Sequence, residues 1–413
     1  MASYRTLKSV FHQFDEARAK ELLETRRNSE AALHWNFPVG DHNLFVLCTP
    51  ELLRQVESIG REQSQLEKKW TVLPREAQKY YLRTLLIDEI QATNEIESIR
   101  STRQELSAVL EAVERQGHTD KRRFAEMVKQ FSELSLGRID MPLSVSEVRA
   151  LYDRLLAGEL DANTELDGEY FRLGPVIITT GTKEIHRGFA TETDIVAGLN
   201  TALAAMHPDR TSHLISHIMA HFMFETIHPF YDGNGRIGRF LLVQGLSECL
   251  SVPTALTMSK KLNEQKQRYY RAFAEVQKPL NYADGTFFAL ELLQLLSEAQ
   301  LQFHDELDQR IAQIAGLVER IKELKDAEAL PGANARTYDL LQLLGFVSLF
   351  GWPKGEEHQK LATALEVSPQ TLRTDEAHLV TLGYVEETSK RPLMFKLAAS
   401  GTALLQLEVP NYI

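Results

Sequence analysis

The sequence predicts a mainly α fold: a helical bundle interrupted by one β-hairpin and followed by a small C-terminal domain of mixed helix and hairpin. Three observations lead there. Apolar residues recur at three- and four-residue intervals through most of 51–135, 143–156 and 213–324, the spacing that gathers them on one helix face. A β-branched run from Val176 to Thr180 turns through Gly181 toward Ile185, which reads as a hairpin. Finally, Ala329-Leu330-Pro331-Gly332-Ala333-Asn334 breaks the longest helical run and marks a domain boundary.

At 413 residues the chain has room for two or three domains. Its 43% hydrophobic and 25% charged residues are ordinary for a soluble globular protein. The net charge of −11 argues against general attraction to nucleic acid, which needs concentrated Lys and Arg. Cys48 and Cys249 are far apart and form no C-x-x-C pattern, so neither a disulfide framework nor a thiolate metal site is expected. The N-terminus has no apolar leader and no window approaches about 18 apolar residues. A cytoplasmic protein without a membrane partner is therefore expected.

Residues 1–50 read as an N-terminal extension packed on the helices behind it, with a helix near Asp15 to Arg26, a loop around Trp35 and an apolar patch from Leu44 to Leu47. A domain over 51–330 follows. Its candidate helices lie at about 51–69, 75–97, 103–116, 119–135 and 143–156, with turn chemistry from Asp161 to Gly168 and the hairpin at 176–187. Further helices span 213–225, 237–250 and 260–277, and a connector runs over 284–324. His213, His217 and His221 repeat every four residues on one helix, but the spacing supplies no carboxylate or Cys to complete a ligand set, so a metal site is rejected.

The chemistry concentrates between His228 and Arg239. Pro229 ends the preceding helix, Asp232-Gly233-Asn234-Gly235 is turn chemistry, and a second helix starts at once. Gly-Asn-Gly at a helix mouth leaves N–H groups aimed at an anion such as a pyrophosphate. Arg236 and Arg239, three apart, share a face and can lean over the same anion. Asp232 is a hard oxygen ligand for a phosphate-bridging Mg²⁺, and His228 can take a proton from an attacking hydroxyl.

This string, His228-Pro229-Phe230-Tyr231-Asp232-Gly233-Asn234-Gly235-Arg236-Ile237-Gly238-Arg239, resembles the Fic motif at all nine of its fixed positions. The resemblance implies a protein adenylyltransferase that moves AMP from ATP to a Ser, Thr or Tyr hydroxyl, with Mg²⁺ or alternatively Mn²⁺. His228 then resembles the general base, Asp232 the metal ligand, Gly233, Asn234 and Gly235 the phosphate cradle, and Arg236 and Arg239 the β- and γ-phosphate arginines. Related Doc toxins, which transfer phosphate, carry bulkier or charged residues in place of these glycines. Gly233 and Gly235 therefore favour nucleotidyl transfer.

Three further stretches extend the likeness. Thr93-Asn94-Glu95-Ile96-Glu97-Ser98 resembles the family's inhibitory motif, with Thr93 and Glu97 in the fixed places and Ser98 where Gly or Asn is usual. A Glu97–Arg239 pair would occupy the place of the γ-phosphate. Ile177, Ile178 and Thr179 stand in a hairpin placed like the Fic flap, which holds a target segment by strand addition. Tyr269 and Tyr270 resemble the tyrosine pair of the adenine and ribose pocket, and Gln277 stands where Asn is common. His221 occupies a position where the family often has a core hydrogen-bonding His.

Residues 335–413 look like a winged helix: helices from Thr337 and His358, a third opened by Ser368-Pro369, and a wing from Gly383 to Leu397. The third helix carries Arg373 beside Asp375 and Glu376, a poor phosphate-contacting face, so DNA binding is disfavoured but stays open. Partners expected are ATP, the hydroxyl of an unidentified target protein or of the chain itself, and a second copy through the 284–324 helix. Two alternatives to transfer remain: removal of AMP at the same site, and nucleotide sensing by a DNA-binding regulator.

Overall fold

The computed structural model describes residues 4–116, 122–159, 166–180, 183–207, 212–350, 352 and 354–408. The hairpin turn at 181–182, the side chains of 178–185 and residues 161–165 of the expected turn-rich stretch lie outside the described residues. The chain forms two compact units: Met1–Ser64 with Leu86–Leu301, and Gln65–Leu85 with Gln302–Ile413. The division runs through long helices, whereas the expected boundary at 329–334 lies inside the second unit, between its helices. A 41-residue helix has no weak point at which a domain could end, so sequence punctuation and compactness part company here.

The first unit opens with α1 (Leu7–Gln13) and α2 (Glu16–Arg27), capped by Thr6 and Asp15, then a hairpin of β1 (Ala32–Val39) and β2 (His42–Leu47). The Trp35 region, expected as a loop, is thus a strand. Its Pro38 is tolerated because the register slips between His34 and Pro38, where a ladder N–H is not required. The extension is anchored at Asp284, which accepts from Tyr4 Oη at 2.6 Å and from Arg26 Nη1 at 3.1 Å.

Helices α3 (Pro50–Val72) and α4 (Arg75–Ile96) cross the division, and α5 (Arg103–Gln116), α6 (Ala125–Ser135) and α7 (Val145–Leu155) follow in the first unit. The expected hairpin is β3 (Ile177–Thr180) against β4 (Lys183–Arg187), antiparallel with a register irregularity between Ile178 and Thr179. Behind it come α8 (Glu192–Met206), α9 (His213–Ile227) and α10 (Asn234–Cys249). Both α9 and α10 are buried around nearly their whole circumference, α10 with Asn234, Arg236, Arg239 and Gln244 among its buried residues. They form the floor on which the site is built. The single helix expected over 260–277 is α12 (Met258–Glu264) and α13 (Lys266–Val276), broken at Gln265, after the four-residue α11 (Val252–Ala255). α14 (Thr286–Asp326) leaves the first unit and enters the second.

In the second unit, Trp70, Tyr81, Phe303 and Phe350 pack ring on ring, with Tyr81 and Phe350 stacked at 5.2 Å. The C-terminal order is α15 (Ala335–Leu349), β5 (Glu356–Glu357), α16 (His358–Ala364), α17 (Pro369–Thr381), β6 (Val385–Lys390), β7 (Leu393–Leu397) and α18 (Ala399–Leu404), with the sheet ordered β5-β7-β6. Asp375 and Glu376 are buried rather than exposed. Asp375 accepts from Thr337 and Arg336, and Glu376 binds His358, so these acids clamp α17 to its neighbours. They do not form the acidic outer face that the sequence suggested.

Candidate functional site

The loop between α9 and α10 is shaped by two left-handed residues. His228 caps α9 with φ 53°, and Gly233 caps α10 with φ 79°. A side chain at Gly233 would be strained by that φ and would also strike Leu156. Asn234 holds the loop closed: its Oδ1 accepts from Phe230 N at 2.8 Å and its Nδ2 donates to Phe230 O at 2.7 Å. Its side chain is therefore occupied by the loop, and only its backbone is left for the cradle role expected of Asn234. Asp232, with a side chain 55% exposed, accepts from Gly233 N through Oδ1, while its Oδ2 lies 4.0 Å from Arg236 Nη2.

Arg239 is buried and already paired. Nε donates to Thr93 Oγ1 at 2.8 Å, and Nη2 donates to the Thr93 carbonyl at 3.1 Å and to Glu97 Oε1 at 2.7 Å. Burial acts to raise the Glu97 pKa, but the Arg239 guanidinium holds it below the usual carboxylate range. Burial acts to lower that of Arg239, and Glu97 in turn holds it above the ordinary value. The same carboxylate lies over Gly235, where a Cβ would overlap Glu97 Oε1. Ser98, the departure from the expected helix ending, adopts φ 60°, and Ile99 N donates to Asn94 O at 2.9 Å while Ser98 N donates to Glu95 O at 3.0 Å. That is a Schellman ending with serine in the position glycine prefers.

Arg236, expected to be available to a phosphate, is instead bound by Nη1 to Glu159 Oε2 at 2.7 Å, with side chains only 2% and 4% exposed. Burial outweighs this guanidinium and leaves the Glu159 pKa raised.

Beside these groups lies a cavity of about 590 Å³ whose lining includes Glu97, His228, Gly235, Arg239, Tyr269 and Tyr270. The tyrosines differ in exposure. Tyr269 is buried, with its hydroxyl on His221 Nε2 at 2.8 Å, whereas Tyr270 is 45% exposed. His221 also meets the Gly238 carbonyl through Nδ1 at 3.0 Å, so it is a core hydrogen-bonding residue. Burial, reinforced by neighbouring His186, pushes the His228 pKa down to about 4, while a hydrogen bond to the Glu225 backbone opposes the shift. At neutral pH His228 is an uncharged imidazole at the cavity wall.

Residues 142–246 match the model of the Fic/DOC family. The chain carries a Fic/DOC family domain. Among solved structures it is similar to a Fic family protein from Desulfovibrio desulfuricans G20, with 20% identity, a TM-score of 0.49, and 85% of this chain and 97% of that one covered. It is also similar to a Fic domain containing signaling protein from Bacteroides thetaiotaomicron VPI-5482, with 19% identity, a TM-score of 0.42 and coverages of 60% and 95%. A third is Fic-1 from C. elegans, with 14% identity, a TM-score of 0.46 and coverages of 73% and 81%.

The site also brings together residues to which the sequence reading gave no role there, Lys266, His186 and Arg172, and it places Gln277 beside His186. Lys266 Nζ donates to the Ile96 carbonyl at 2.6 Å, fastening the end of α4 beside Glu97. Gln277 Nε2 and His186 Nδ1 lie 3.1 Å apart, and the rings of His186 and His228 are 5.9 Å apart. Arg172, fully buried, binds the backbone on both sides of His228. None belongs to a motif, and each acts through a backbone carbonyl or a side chain distant in sequence. Of the flap residues, Ile177 is 42% exposed, while the side chains of Ile178 and Thr179 lie outside the described residues.

Proposed function

We propose that the protein is an adenylyltransferase that moves AMP from ATP to a Ser, Thr or Tyr hydroxyl of a protein, and that Glu97 restrains it. The observation that carries this reading is the Arg239 fork shared by Thr93 and Glu97 above Gly235, beside a neutral His228. A phosphate at that fork and the Glu97 carboxylate need the same guanidinium.

In the reaction, the target hydroxyl oxygen attacks the α-phosphorus, the bond to the β-phosphate oxygen breaks, and pyrophosphate leaves. His228 accepts the hydroxyl proton, the role of a general base whose neutral form prevails at the working pH. The amides at the start of α10 and the guanidinium of Arg239 offset the phosphate charge. The half-exposed carboxylate of Asp232 would hold a Mg²⁺ ion, which would neutralise charge on the leaving group. The exposed face of Tyr270 offers a stacking surface for a base.

The test is transfer of label from α-³²P-ATP with Mg²⁺ or Mn²⁺, with the chain itself as one acceptor. Glu97→Gly is expected to raise labelling strongly and His228→Ala in that background to abolish it. No labelling by Glu97→Gly under either metal would overturn the reading.

A further inference from the structure

Arg172 and Arg239 are the largest fully buried side chains among the described residues, and no carboxylate among those residues lies within ion-pair distance of Arg172. Its guanidinium is spent on carbonyls. Nε donates to His228 O at 2.8 Å, Nη2 to Ile227 O at 3.2 Å and Nη1 to Gly174 O at 2.6 Å. Its own backbone N–H donates to Pro229 O at 3.4 Å. Burial disfavours this cation, opposed by Tyr231 and Asp167 nearby, and the C-terminal end of α9 supplies oriented carbonyls and the negative end of a helix dipole.

The two peptide planes that flank the His228 Cα carry the carbonyls of Ile227 and His228. A rigid planar fork that holds both oxygens fixes the φ and ψ of His228 together, at values a non-glycine residue seldom adopts. The direction of the Cα–Cβ bond, and so the place of the imidazole, follows from them. The third arm reaches Gly174, three residues before β3, and the chain after β4 returns to the same point: Phe189 N donates to Ile227 O at 3.0 Å. Gly188 leaves just enough room, since a Cβ there would lie 2.5 Å from Arg172 Nη2 and 3.0 Å from the His228 Cβ.

We propose that Arg172 is a positioning residue that sets the His228 imidazole and ties both feet of the β3–β4 hairpin to it, so that the base and the target-holding hairpin move as one body. This rests on the transfer reading. Lysine keeps the charge but offers no planar fork, so Arg172→Lys separates charge from geometry.

In the Glu97→Gly background, Arg172→Lys is expected to lower the rate of label transfer about a hundredfold, the effect of displacing a reacting group by about an ångström. ATP affinity should stay within about twofold, because Arg172 does not line the nucleotide cavity. Arg172→Ala should lose the rate likewise and recover part of it in millimolar guanidinium, well below denaturing concentration. A rate within about threefold of the parent, or a parallel fall in ATP affinity that marks general unfolding, would overturn the proposal. If Glu97→Gly itself transfers no label, the transfer reading fails, and Arg172 is judged by hydrogen exchange. The amides of Phe189 and His228 should then exchange about tenfold faster in Arg172→Lys, and unchanged exchange would overturn it.

Discussion

Two arginines on one turn of α10 meet two acids, and the two pairs are not alike. Arg236 and Glu159 are both sealed, with side chains 2% and 4% exposed, and burial leaves the acid's pKa raised. Arg239 is equally sealed, but its acid, Glu97, is 34% exposed, and Arg239 keeps that acid's pKa lowered. The pairing distances are the same, 2.7 Å. What differs is access: Glu97 stands at the wall of the cavity, where an incoming anion could reach its arginine, whereas Glu159 is sealed in beside Arg236, which also has Asp232 Oδ2 at 4.0 Å. The first pair suits control and the second suits construction.

The contrast can be broken most severely at the base they both serve. In the Glu97→Gly background, His228→Ala should reduce label transfer by about 10³-fold or more, within the range of a lost general base, while leaving the Arg236–Glu159 pair and the melting temperature of that background nearly unchanged.

Next in size is the cost of cutting each pair. Glu159→Gln should destabilise the fold by about 2–3 kcal/mol, because a buried guanidinium loses its nearer counter-ion and keeps only Asp232 at 4.0 Å. Glu97→Gln should cost less, about 1 kcal/mol, since its carboxylate is partly hydrated and Arg239 keeps its two hydrogen bonds to Thr93. Equal shifts in chemical denaturation midpoint at constant slope would erase the distinction.

The pH dependence sharpens it further. Because burial lowers the His228 pKa to about 4, the neutral base persists as pH falls below the ordinary histidine value of about 6.5. The transfer rate of Glu97→Gly should hold from pH 7 to about 5 and fall only near 4. An acid limb centred near 6.5 would show an imidazole open to water. The smallest effect concerns the ending of the Glu97 helix: Ser98→Gly should add about 0.5–1 kcal/mol by relieving φ 60° and leave inhibition intact.

Much of this was legible in the sequence because the motif is local. His228, Asp232, Gly233 and Gly235 sit within one turn, and Glu97 finds Arg239 as its motif implies. Most helices from 51 to 156 and from 213 to 324, apart from the break at Gln265, and the hairpins at 176–187 and 385–397 also stand where periodicity and turn residues put them. Groups that act across long separations were not legible. Nothing near Glu159 signals that it would take Arg236, and nothing near Arg172 signals that it would hold carbonyls 55 and 56 residues away. The reading of β1 as a loop failed because Pro38 and the polar residues around it outweighed a strand stabilised by its partner β2. Asp375 and Glu376 were read only as spoiling a phosphate-contacting face; carboxylates are seldom buried unless paired, and here each is buried and paired.

The exchange of Glu97 for a terminal phosphate is tested most directly by comparing ATP with ADP. Titration calorimetry on wild type and Glu97→Gly gives the ratio of ADP to ATP dissociation constants in each. If Glu97 holds the γ-phosphate's place on Arg239, that ratio should rise about tenfold in Glu97→Gly, since only ATP carries the group that takes over the guanidinium. An unchanged ratio would mean that Glu97 and the terminal phosphate do not compete there.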